Sequence, residues 1–102
     1  MLVTSAYSKN DIVSFKLVNG DEVVAKIVDV TTDSYVVSLP TTVMPSQGGI
    51  GLIQSLFTSD LGKDIPILKT HVMMHAATIQ EIQNHYIQTT TGIQPVSSGI
   101  IT

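Results

Sequence analysis

A mainly β domain with one short C-terminal helix is what this sequence predicts, and three observations predict it. Apolar and polar residues alternate through three successive stretches between residues 11 and 39. An Asn19-Gly20 pair separates the first two of them. The clearest helix-period pattern lies near the C-terminus, behind a start signal at Thr78. Alternation puts every second side chain on one face of a strand, whereas a spacing of three and four marks one face of a helix.

In residues 11–18, Val13, Phe15 and Leu17 alternate with Ser14 and Lys16, the pattern of a half-buried strand. Asn19-Gly20 suits a type I′ turn, since both residues tolerate positive φ. Residues 22–30 resume the alternation with Val23, Ala25 and Ile27 on one face. Residues 31–34 read as a second turn, and Tyr35, Val37 and Leu39 mark a third strand. Val13, Phe15, Leu17, Val23, Ile27, Val37 and Leu39 are therefore expected to point inward.

Pro40 is expected to end that strand, because proline gives no donor to a ladder. Residues 41–51, with Pro45, Gly48, Gly49 and Gly51, read as a loop with short extended pieces. Residues 51–57 fit a strand better than a helix, and 59–63 read as a turn. Residues 64–75 return to one extended run through Ile65, Ile67 and Val72. Thr78 with Glu81 has the form of a capping box, and Ile79, Ile82, Tyr86 and Ile87 form a narrow apolar stripe. Residues 89–91 and Gly92 are expected to stop the helix, leaving 95–102 as a frayed tail.

One hundred and two residues suffice for a single domain, 1–102, with one modest core. Five lysines, no arginine and eight acids give a net charge of −3, which disfavours a broad phosphate-gripping surface. Cysteine is absent, so disulfides, thiolate metal sites and thiol catalysis are excluded. No apolar run reaches the ~18–20 residues of a membrane helix, so a cytoplasmic protein with no membrane contact is the expectation. Sparse charge with positive mean hydropathy points to apolar surface that a partner covers.

His71 and His75 would share a strand face with Met73 between them, yet no third ligand is spaced to complete a metal site. Gly48-Gly49-Ile50-Gly51 lacks the Lys-Ser/Thr of a phosphate loop. No Gly-x-Ser-x-Gly elbow occurs, and Asp21-Glu22, Asp60 and Asp64 fit turns better than acid–base pairs. Met73-Met74 fits core filling better than a soft contact surface. The sequence predicts no enzyme, no metal and no cofactor.

The run from Phe15 to Ile27, with Asn19-Gly20-Asp21-Glu22 at its centre, resembles the first motif of the Sm-like family. Asp33-Ser34-Tyr35 is similar to that family's Asp-x-Tyr/His stretch opening the third strand. With Pro40, Tyr86 and Gly92, the order over residues 11–94 resembles small Sm-like proteins of unknown function encoded by tailed bacteriophages. The resemblance implies a strongly bent, SH3-like, five-stranded open barrel that forms homo-oligomeric rings by edge-strand pairing. It also implies single-stranded RNA as a ligand, with Tyr35 as the stacking residue, Asp33 its neighbour and Lys69 the nearest cation. Val37 stands where the family has a base-contacting asparagine, Ala25 replaces its second-strand glycine, and the Arg/Lys-Gly motif has no counterpart in 67–77. The alternative is an accessory or scaffolding protein, in the host cytoplasm if phage-encoded, that contacts another phage or host protein without nucleic acid.

Overall fold

A computed structural model describes residues 7–60 and 62–91. Strand β1 (Ile12–Leu17) pairs antiparallel with β2 (Glu22–Val30), and β2 pairs with β3 (Ser34–Ser46). The far half of β3 pairs with β4 (Gly49–Gln54) and its near half with β5 (Ile65–Leu68). A 3-10 turn, Lys69–His71, leads into β6 (Val72–Ala77), which pairs with β1. Helix α1 (Gln80–Thr91) follows. The sheet is antiparallel and not closed, in the order β4-β3-β2-β1-β6, with β5 on β3. Because three residues connect β5 on one side to β6 on the other, the sheet must bend back on itself.

Alternation decides the inner face. Val13, Phe15, Val23, Ala25, Ile27, Tyr35 and Val37 form one buried cluster, with Leu17, Ile65, Ile67 and Val72 packed against it. The opposite parity builds a second cluster, in which Ile12, Val24 and Tyr86 meet Val43, Leu52 and Ile82. The short helix is thus fixed to the outer face of the sheet.

Several expectations need correction. The first hairpin is not type I′: of the two turn residues only Gly20 has positive φ, at 97°. Its amide donates to the Leu17 carbonyl at 2.9 Å, and the Leu17 amide to the Asp21 carbonyl at 2.8 Å. That is a three-residue loop ending in a left-handed glycine, which also lets the Asn19 side chain accept from the Asp21 amide at 3.0 Å. Pro40 does not end β3. It falls where Leu39 and Pro40 oppose Ala25 alone, between the pairs Lys26↔Ser38 and Val24↔Thr41. A bulge has no ladder position for a proline to spoil, so the strand continues beyond it. Leu39, expected in the core, takes the strained position of this bulge at φ 48° and stays outside the buried cluster.

The expected loop 41–51 is accordingly a hairpin, made by the far half of β3 and by β4. The single run expected over 64–75 is two strands split by the 3-10 turn, which raises the strand count from five to six. Ile82 and Tyr86 of α1 face the sheet, while Ile87 and, just before the helix, Ile79 are exposed. Thr90 and Thr91 extend the helix, their hydroxyls donating to the Tyr86 and Ile87 carbonyls at 2.8 and 2.6 Å. The Thr78 hydroxyl is paired with that of Ser14 at 2.8 Å. Gly92 and the expected tail 95–102 lie outside the described residues.

The bulge is held by the helix. Tyr86 is 2% exposed, and its hydroxyl donates to the carbonyls of Ser38 at 2.8 Å and Leu39 at 3.0 Å. Burial pushes its pKa up to about 12, with the Lys26 backbone N–H beside it pulling the other way. One side chain thus ties the helix to both carbonyls at the irregular step of the ladder.

Candidate functional site

Asp33, Tyr35 and Lys69 come together. Pairing of β3 with β5 brings the 3-10 turn to the start of β3, where the Lys69 amide donates to the Asp33 carbonyl at 2.8 Å. The Lys69 ammonium stands 5.3 Å from the centre of the Tyr35 ring, within cation–π range. Tyr35 itself is only 9% exposed. Its ring packs at 5.1 Å from Phe15, 5.5 Å from His75 and 6.3 Å from Tyr7, centre to centre.

His75 is the residue whose place sequence reasoning missed. It stands opposite Phe15 in the β1–β6 ladder, which turns its ring toward Tyr35. Its Nδ1 is bonded to the Tyr7 hydroxyl at 2.6 Å and its Nε2 to the Tyr35 hydroxyl at 3.2 Å. The second bond crosses from β6 to β3, joining two strands that are not neighbours in the sheet. Burial, and then the neighbouring Tyr35, raise the Tyr7 pKa. Both imidazole nitrogens are engaged by tyrosines, so the ring is a crosspiece rather than a free base or ligand. His71 sits in the 3-10 turn, so the shared strand face expected for the two histidines does not exist. No cluster of three or more metal-ligating side chains occurs among the described residues.

A second feature lies at the two ends of the sheet. Strands β4 (Gly-Ile-Gly-Leu-Ile-Gln) and β6 (Val-Met-Met-His-Ala-Ala) contain neither acid, lysine nor proline. Met73 and Met74 on β6 are 61% and 62% exposed, and Ile50 and Ile53 on β4 are exposed as well. Beyond β4, Leu56 is exposed and Phe57 is 69% exposed. Met73-Met74 is therefore surface rather than the core filling that residue type suggested. Residues 34–59 contain no charged side chain at all, so the β4 end lacks the groups that usually blunt an edge.

The chain matches no family model and no curated protein. The site's meaning rests on its own geometry. No helix among the described residues is long and apolar enough to cross a membrane.

Proposed function

We propose that this chain is a non-enzymatic, Sm-like binding module that works as a homo-oligomer through its strand edges. The observation that carries this reading is the pair of unprotected edges, β4 and β6, at opposite ends of one bent sheet. Among the described residues each pairs with a single neighbouring strand and carries exposed apolar side chains, and pairing such edges between copies removes both liabilities at once. Edges at opposite ends favour a head-to-tail contact, which closes into a ring when the rotation permits.

Protein contacts are the favoured working mode over single-stranded RNA. The Tyr35 ring is enclosed by Phe15, His75, Tyr7 and Lys69, which leaves little open face for a base to stack on. A net charge of −3 without arginine adds little attraction for phosphates. On this reading the assembly acts as an accessory or scaffolding component.

Light scattering on the full chain at micromolar concentration tests the assembly, with a multiple of the single-chain mass expected. A single-chain mass refutes it. Titration with uridine- and adenine-rich oligonucleotides across a salt series tests the ligand class. Binding that weakens steeply with salt would restore RNA in place of a protein partner.

A further inference from the structure

We infer that Phe57 of one copy seats in a groove beside β6 of the next, so that the self-contact has a specific aromatic key. This rests on the homo-oligomeric reading above and names the contact within it. The groove encloses about 330 Å³ and is lined by Ser14, Lys16, Glu22, Met74 and Ala76, among others. Register places these five on one face: Ser14 opposes Ala76, and Lys16 opposes both Met74 and Glu22.

The chemistry of this lining suits an aromatic ring better than an aliphatic chain. The Met74 thioether favours the edge of an aromatic ring. The Lys16 ammonium favours an aromatic face, and its stem adds apolar cover. An aliphatic occupant gains neither contact and leaves the lysine head to be partly desolvated without return.

The chain owns five aromatic residues, and their burial singles out one. Phe15, Tyr35 and Tyr86 are buried, and Tyr7 is packed against Tyr35 and His75. Phe57 remains, 69% exposed, with Leu56 exposed beside it. It follows β4, at the opposite end of the strand order from the groove. A key at one end and its slot at the other suit the head-to-tail contact proposed above, in which the pairing repeats from copy to copy. The same geometry brings the β4 end of one copy to the β6 end of the next, where the two uncharged edges lie.

Mixing two variants of the full chain tests this. Phe57→Ser removes the key and Met74→Glu blocks the slot; both sites are exposed, and circular dichroism matching wild type confirms folding. Each variant alone is expected to self-associate roughly 30-fold or more weakly than wild type, as for loss of an aromatic anchor. An equimolar mixture is expected to form dimers and stop there, since one slot and one key remain intact. Phe57→Tyr is expected to keep assembly, and Phe57→Leu to weaken it. Wild-type assembly that Phe57→Ser leaves unchanged overturns the key and spares the homo-oligomer. A mixture that gains no dimer overturns the head-to-tail pairing. A wild-type chain of single-chain mass overturns the homo-oligomer itself.

Discussion

Replacing Tyr86 with phenylalanine removes one oxygen from a buried position and should unsettle the bend of the whole sheet. The phenyl ring left by Tyr86→Phe would still fill the space between Ile12, Val24 and Ile82, so the apolar contact survives. What goes is the hydroxyl that donates to the Ser38 and Leu39 carbonyls and lies beside the Lys26 amide. Leaving buried backbone groups unsatisfied costs about 1–3 kcal/mol. For a domain of this size each kcal/mol moves the melting temperature by about 4–8 °C, so a fall of roughly 8–16 °C corresponds to the middle of that range. Urea unfolding should show a lower midpoint with an unchanged slope. The pH dependence supplies a second reading. A tyrosine whose pKa rises from 10 to about 12 on folding contributes stability that is present below pH 10 and is lost as pH climbs toward 12. That loss amounts to about 2–3 kcal/mol at most. The difference between wild type and Tyr86→Phe isolates this limb. A variant within about 0.5 kcal/mol of wild type, with the same alkaline profile, would refute the role given to this hydroxyl.

Gly20→Ala should cost about 1 kcal/mol in urea unfolding, because φ is 97° there and a new Cβ meets nothing within 4 Å, so the backbone alone resists. Phe15→Ala, at the centre of the inner cluster, should cost about 3–5 kcal/mol in the same assay and abolish the near-ultraviolet tyrosine signal of its neighbour Tyr35. His75→Ala removes the crosspiece between Tyr7 and Tyr35 and should cost about 1 kcal/mol, with amide exchange accelerating in β6 ahead of β2.

The residues that carried most of the sequence reading are those whose period is fixed by burial on one face. Val13, Phe15, Val23, Ala25, Ile27 and Val37 announce the inner face because water on the other side demands polar neighbours. Pro40 misled for a local reason: its missing donor ends a regular strand, but a bulge shared with Leu39 needs no donor there, and only the register of β2 reveals the bulge. The 3-10 turn was hidden because Lys69-Thr70-His71 is a short polar stretch with no glycine or proline to mark a break in the extended run. At the site, Asp33 and Tyr35 were legible through their motif positions and Lys69 only as the nearest cation, and the structure brings the three together. The part played by Tyr7 and His75 was not, since it depends on Phe15 standing opposite His75, a pairing between strands more than fifty residues apart in the chain. Exposure of Met73, Met74 and Phe57 was equally invisible, because residue type alone favours the interior for each.

The 3-10 turn Lys69–His71 has a consequence beyond connecting two strands. At about 2 Å of rise per residue it is a tether of roughly 6 Å between the wall that carries β5 and the wall that carries β6. A tether so short constrains the angle between those two walls. In the ring proposed above that wedge angle would set the number of copies, so lengthening the tether by one residue would be expected to change the census while leaving every strand sequence untouched.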